Sequence, residues 1–230
     1  MKPRRINDTY DLIVTDAVAE WDAPSSWERD RIADTIDRLG PNDTLMDIGA
    51  EHGWISGLYA KYIGCQMILV EPSPEFWPNI RLVWEHNDLP EPALCVRAFM
   101  GAEPPATKYW WHQGWPTEAK GAETGAMAYR SIASGHAESQ FIPVLRVDDF
   151  PIIPSALTID VEGAELLVLQ GAKRTLERDR PTVWCSVHPD LMERDYNSTP
   201  NQLMEYMAGC GYRKHFIATD HEMHYRFDPQ

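Results

Sequence analysis

Asp47, Glu71, Asp160 and His188 each stand where a short apolar run stops. In an open α/β sheet such strand ends are where ligands bind. The first run leads into Asp47-Ile48-Gly49-Ala50-Glu51-His52-Gly53. Gly49 lets the backbone turn sharply and approach a ligand, and Gly53 allows tight packing at a helix start. The pattern is G-x-x-x-G after an acid, not the G-x-G-x-x-G of dinucleotide sites. A carboxylate at Asp47 suits a cationic or hydroxyl-bearing ligand better than a pyrophosphate. Glu71, at the end of the next run, can accept both hydroxyls of a ribose. Asp47, Gly49, Gly53 and Glu71 together describe a site for S-adenosylmethionine. A third run brings Ala98 to the same edge, where it would wall the adenine.

Asp160 and Glu162 follow the fourth run, and His188 follows the fifth. A partly buried acid pair raises the pKa of one member, which makes that member a plausible base. Histidine, with an ordinary pKa near 6.5, also suits general base work at neutral pH. Methyl transfer to a hydroxyl needs such a base within hydrogen-bond reach. Asp160, Glu162 and His188 are therefore the expected catalytic residues. With Asp148 they could instead hold Mg²⁺ or Mn²⁺, since oxygen ligands with one imidazole suit such ions. The metal-free arrangement is the preferred expectation.

The elements that must position these residues follow a βαβ rhythm. Strands are expected at Thr44–Ile48, Cys65–Val70, Leu94–Ala98, Ala156–Ile159 and Thr182–Val187. Helices are expected at Ile55–Ile63, Phe76–His86, Ala164–Leu176 and Pro200–Gly209, the last opened by a Thr199-Pro200-Asn201-Gln202 capping box. Arg213–Ala218 and Met223–Phe227 read as a terminal antiparallel hairpin. The pattern predicts an α/β sandwich over a mostly parallel sheet. It is read as one domain, residues 1–230. Residues 1–43 form an N-terminal helical extension with a helix around Trp27–Leu39. Residues 99–155 form an insert that includes a strand at Phe141–Val147.

The chain has 230 residues, 21 Lys plus Arg and 35 Asp plus Glu, for a net charge of −14. That charge argues against a nucleic-acid partner, whose phosphates need clustered cations. No run approaches the length of a membrane span, and the four cysteines form no C-x-x-C pair. A cytoplasmic setting is expected. Nine tryptophans are many for this length. Trp110, Trp111 and Trp115 concentrate in the insert, where aromatic faces would seat a sugar or aromatic acceptor. His136, in a Gly/Ser setting, is expected to approach the same acceptor. His221 and His224 read as structural.

Several blocks in order resemble FkbM-type methyltransferases: Asp47-Ile48-Gly49-Ala50 through Gly53, Glu71-Pro72-Ser73-Pro74, Val147-Asp148-Asp149-Phe150, and Asp160-Val161-Glu162-Gly163-Ala164-Glu165. The resemblance runs from about Asp43 to His188. It implies a class I, Rossmann-like methyltransferase fold: a mostly parallel seven-stranded sheet with a C-terminal antiparallel hairpin and an insert between strands three and four. It implies S-adenosylmethionine as cofactor and O-methylation of a sugar, glycan or natural-product hydroxyl. The family usually has Asn at Glu51, Lys at Thr158 and an acid at Ser186. Glu51 is then expected either on the cofactor ammonium or facing the acceptor. Competing expectations are a metal-dependent sugar O-methyltransferase and a non-catalytic protein that keeps the pocket.

Overall fold

The computed structural model describes residues 1–21, 27–104, 115–116 and 142–230. Trp110, Trp111 and His136 lie outside the described residues.

Seven strands form the main sheet: β3 (Thr44–Ile48), β4 (Gln66–Val70), β5 (Leu94–Val96), β8 (Ala156–Ile159), β9 (Thr182–Val187), β10 (Tyr212–Thr219) and β11 (Met223–Pro229). Their spatial order is β10-β11-β9-β8-β3-β4-β5. Pairings among β3, β4, β5, β8 and β9 are parallel, and β11 runs antiparallel to both β9 and β10. The order reverses between β3 and β8. This is the switch point at which an open α/β sheet leaves a crevice for a ligand.

The strands are short and apolar because both faces are covered. On one face Met46, Ile48, Ile68 and Val70 pack with Leu166 and Leu169 of α5 (Glu165–Gly171), Leu176 of α6 (Lys173–Arg178) and Leu203 of α8 (Pro200–Gly209). On the other, Leu45, Met67 and Leu69 pack with Ile32 of α2 (Arg29–Arg38), Leu58 of α3 (Trp54–Tyr62) and Trp77, Ile80 and Trp84 of α4 (Trp77–His86). All four cysteines are buried and free.

Residues 1–43 differ from the helical extension expected. Strands β1 (Lys2–Ile6) and β2 (Tyr10–Val14) form a hairpin ahead of the short α1 (Asp16–Glu20) and of α2. Its turn passes through Asn7 and Asp8, both at positive φ, which Asn and Asp tolerate better than most residues. The hairpin is held from outside. Asn87 accepts from the Ile13 amide at 2.9 Å and donates to its carbonyl at 2.8 Å, and the Tyr62 hydroxyl accepts from the Asp11 amide at 2.7 Å.

The third expected strand, Leu94–Ala98, ends at Val96. After β5 the chain leaves the sheet, and β6 (Phe99–Met100) pairs in parallel with β7 (Val144–Leu145). The expected helix over Ala164–Leu176 breaks at Ala172 into α5 and α6. Helix α7 (Pro189–Tyr196), absent from the expectation, starts directly after His188 with Pro189 at its first turn.

Candidate functional site

A cavity of about 540 Å³ opens at the carboxyl ends of β3, β4, β5 and β8. Asp47, Gly49, Glu51, Glu71, Ala98, Asp160 and Glu162 all line it. Gly53 sits just behind it as the N-cap of α3, at φ 75°. A Cβ there would lie 2.9 Å from the Ile80 Cα, so the glycine lets α3 and α4 pack closely. At Gly49, φ 94°, a Cβ would lie 1.8 Å from the Asp160 carbonyl oxygen. Glycine is required there because two strand ends meet, and that meeting brings Asp160 to the floor of the cavity.

Asp47 is buried, and each of its carboxylate oxygens accepts one hydrogen bond. Ser56 of α3 donates to one carboxylate oxygen and Thr158 of β8 donates to the other at 2.6 Å. Burial nevertheless pushes its pKa up. Asp47 therefore ties α3, β3 and β8 together beneath the cavity. Glu71 is also buried. It accepts from the Glu51 amide at 2.9 Å and the Ser73 amide at 2.7 Å, and burial pushes its pKa up to about 7. Each carboxylate oxygen has further acceptor capacity, so Glu71 can still receive ligand hydroxyls. The Glu51 side chain is largely exposed, and its backbone amide rather than its carboxylate fixes the loop.

At the β8 and β9 end the sequence brings more charge together than the expected trio. Asp160, Glu162 and His188 each place one ligand-type atom within 4.8 Å of the others. Glu222, in the turn between β10 and β11, joins them: its carboxylate is ion-paired to the His188 Nε2. Asp148 does not join. It accepts from the Arg174 and Thr175 amides at the start of α6, away from the cavity.

His188 does not line the cavity. Its Nδ1 lies 2.7 Å from Oε1 of the buried Glu165, and its Nε2 faces Glu222 and, at 3.7 Å, Asp160. Burial alone would lower its pKa, but the bonds to Glu165 and Glu222 outweigh this and push it up to about 11. At neutral pH it is an imidazolium with no lone pair for a proton. The expectation of a histidine base is not supported by these surroundings. Asp160, by contrast, faces the cavity. Burial and the nearby Glu222 push its pKa well above the usual carboxylate range, against the pull of Arg31.

Arg31 and Glu28, both 1% exposed, form the base of this cluster. Arg31 reaches from α2 to pair with Glu28, and its Nη2 lies 3.5 Å from Asp160 Oδ2. Arg31, Glu28 and Glu222 are not among the residues that strand-end spacing singles out, and His221 reads from the sequence as structural. The His221 ring lies flat on Trp27, centroids 3.3 Å apart at 9°, and its Nε2 is 3.0 Å from Glu222. Both rings line the cavity, together with Trp21 and Trp54. The one usable signal was His221-Glu222 in a tight turn ahead of a strand that must neighbour β9.

Trp115 lies elsewhere. It packs edge-on against Trp84 of α4, centroids 5.9 Å apart, and does not line the cavity. Among the described residues, the aromatic wall comes from the N-terminal segment and α3.

A seven-stranded sheet in this order, with a crevice at its switch point, is the class I methyltransferase architecture. The profile of the FkbM methyltransferase domain matches residues 47–214, so the chain belongs to the FkbM methyltransferase family. The enzyme is a methyltransferase, and the cofactor of its family is S-adenosylmethionine. Among solved structures, an FkbM methyltransferase from Methylobacillus flagellatus is similar with a TM-score of 0.54 at 16% identity. The match covers 83% of this chain and 44% of that one, so the chain spans under half of that protein's length. A precorrin-6y C5,15-methyltransferase from Geobacter metallireducens has a TM-score of 0.51 at 12% identity, covering 86% of each chain. TYW2 from M. jannaschii, solved in complex with AdoMet, has a TM-score of 0.50 at 11% identity, covering 95% of this chain and 83% of that one. At these identities the likeness establishes the fold. No curated protein sequence matches the chain. No helix among the described residues is long and apolar enough to cross a membrane.

Proposed function

We propose that this enzyme transfers a methyl group from S-adenosylmethionine to a hydroxyl of a sugar or other small molecule, with Asp160 as the general base. The observation that carries the proposal is Asp160 itself. It is a carboxylate of raised pKa at the end of β8, facing the same cavity as Glu71 and Gly49. The cavity fits the cofactor. The buried Glu71 has spare acceptor capacity for ribose hydroxyls, Ala98 and Phe99 offer an apolar wall for adenine, and the acids favour a sulfonium cation. When bound, S-adenosylmethionine supplies an electrophilic methyl carbon.

The protein's own part is placement and proton removal. Proximity supplies much of the rate, because the acceptor oxygen is held rather than met by collision. Asp160 takes the hydroxyl proton, and its raised pKa narrows the gap to a weakly acidic alcohol. Glu162, adjacent and exposed, orients the acceptor. His188 stays protonated and holds Glu165, Asp160 and Glu222 in register. The convergence of Asp160, Glu162 and His188 favours a divalent-metal reading in part. Against it, both ring nitrogens of His188 are held by carboxylates, which leaves no lone pair for a metal.

Glu71 gives this reading a pH signature. Only the ionised carboxylate accepts from both ribose hydroxyls, and its pKa is pushed up to about 7. The affinity for S-adenosylhomocysteine should therefore rise as pH rises through about 7 and level off above it. Below that value it should weaken by up to about tenfold per pH unit. Calorimetric titration at a series of pH values tests this, with Glu71→Gln expected to bind weakly and without the step. A wild-type affinity independent of pH would remove Glu71 from the cofactor site.

A further inference from the structure

Helix α2 carries three arginines, Arg29, Arg31 and Arg38, and only Arg31 is buried. An arginine at 1% exposure needs partners for its charge. Glu28, three residues earlier, is one of them. A guanidinium has five N–H donors in a fixed fork, more than one carboxylate can use. Its Nη2 extends past Glu28 and lies 3.5 Å from Asp160 Oδ2, at the end of β8. Both ends of this contact are anchored. Glu28, the N-cap of α2, donates its backbone amide to Asp220 Oδ2 at 2.7 Å, in the turn between β10 and β11. The Asp160 amide donates to the Ile48 carbonyl of β3 at 3.0 Å. Arg31 and Asp160 both line the cavity.

Charges from several elements face Asp160. Glu28 and Arg31 come from the start of α2, His188 from the end of β9, Glu222 from the turn between β10 and β11, and Glu162 from the loop after β8. Burial and Glu222 favour the neutral acid, and Glu28 adds to this, whereas Arg31 and His188 favour the carboxylate. The two cations differ in what they can do. His188 is held by Glu165 and Glu222 and lies 3.7 Å from Oδ1. Arg31 faces the other oxygen, and a guanidinium keeps its proton at any working pH. A base must be charged to accept a proton and must be aimed at the hydroxyl that gives it.

We infer that Arg31 is the positioning residue of Asp160: its guanidinium holds Oδ2, favours the charged carboxylate and leaves Oδ1 to take the acceptor's proton. The inference rests on Asp160 as the base and adds the group that readies it. Lysine is a poor substitute, because a point charge lacks the planar fork that spans Glu28 and Asp160.

Asp160 is read directly by NMR in protein labelled with carboxyl-¹³C aspartate, its resonance identified by its loss in Asp160→Asn. The comparison is between Glu28→Gln and the double variant Glu28→Gln with Arg31→Met. The two differ only at Arg31, and the double variant leaves neither charge of the Glu28 pair behind. Adding Arg31→Met should raise the Asp160 titration midpoint by about one to three pH units, the usual effect of losing an opposite charge at this range. An unchanged midpoint would overturn the inference. A second reading does not depend on that variant folding. In wild type labelled with ¹⁵N-arginine, the Arg31 side-chain resonances should shift at the Asp160 midpoint, and that step should vanish in Asp160→Asn. An Arg31 signal indifferent to Asp160 would overturn the inference as well. Undiminished turnover in Asp160→Asn would count against the base instead, since neither titration depends on the reaction.

Discussion

Replacing His188 by alanine is expected to cost about 3–5 kcal/mol of folding stability, the usual penalty for removing one partner of a buried ion pair. The imidazolium lies between Glu165, which is fully buried, and Glu222, which is nearly so. Without it two carboxylates face each other across a dry gap. The pH dependence separates this role from that of a simple packing residue. A group whose pKa is raised on folding contributes its full stability below its unfolded pKa, and that contribution is lost as pH rises through the folded value. For His188 these limits are 6.5 and about 11. The stability gap between wild type and His188→Ala should therefore narrow from about pH 8 to about pH 10, where the variant's carboxylates are already ionised. Urea unfolding at each pH measures it. A gap that stays constant over this range would mean that His188 packs but carries no charge. The double variant with Glu222→Gln should recover part of the loss, because the uncompensated carboxylate is gone.

Asp160→Asn is expected to lower the methyl-transfer rate by about a hundredfold to ten-thousandfold, the usual contribution of a positioned base. The amide keeps the shape and can still lie against Arg31, so the fold and the affinity for S-adenosylhomocysteine should change little. The pair of measurements matters more than either alone. Turnover is followed as S-adenosylhomocysteine release with an accepted alcohol, and binding is followed by calorimetry. Glu162→Gln should cost far less, because its side chain is exposed and only orients the acceptor. Should Asp160→Asn keep its rate while Glu162→Gln loses it, the base would be Glu162 and the raised pKa of Asp160 would have another meaning.

Much of the proposed cofactor half of the cavity can be read from the chain because it depends on local features. A short apolar run, an acid and a glycine specify a strand end, and Asp47, Gly49, Glu71 and Ala98 all line the cavity. The acceptor half depends on contacts between distant segments, which periodicity does not report. Arg31 comes from α2, 129 residues before the Asp160 it faces. Glu222 reaches His188 only because β11 lies antiparallel beside β9. The departures from the family pattern become intelligible in the same way. Thr158 stands where the family usually has Lys and bonds to Asp47, while Arg31 brings positive charge from another element. Ser186 stands where an acid is usual and bonds to His224, while Glu222 supplies an acid to His188 from the neighbouring turn. Of the insert tryptophans only Trp115 is described, and it packs on Trp84 away from the cavity. In the sequence Trp27 reads as one position of a helical stripe. Its ring instead stacks on His221, nearly two hundred residues away in sequence.

The central claim is that one cavity holds the cofactor on the β3–β4 side and the base on the β8 side. A crystal structure of the complex with S-adenosylhomocysteine tests it most directly. The expected result is a nucleoside with its ribose hydroxyls on Glu71, its adenine against Ala98 and its sulfur turned toward Asp160 and Glu162. A nucleoside bound elsewhere, or a sulfur turned away from Asp160 and Glu162, would contradict the account.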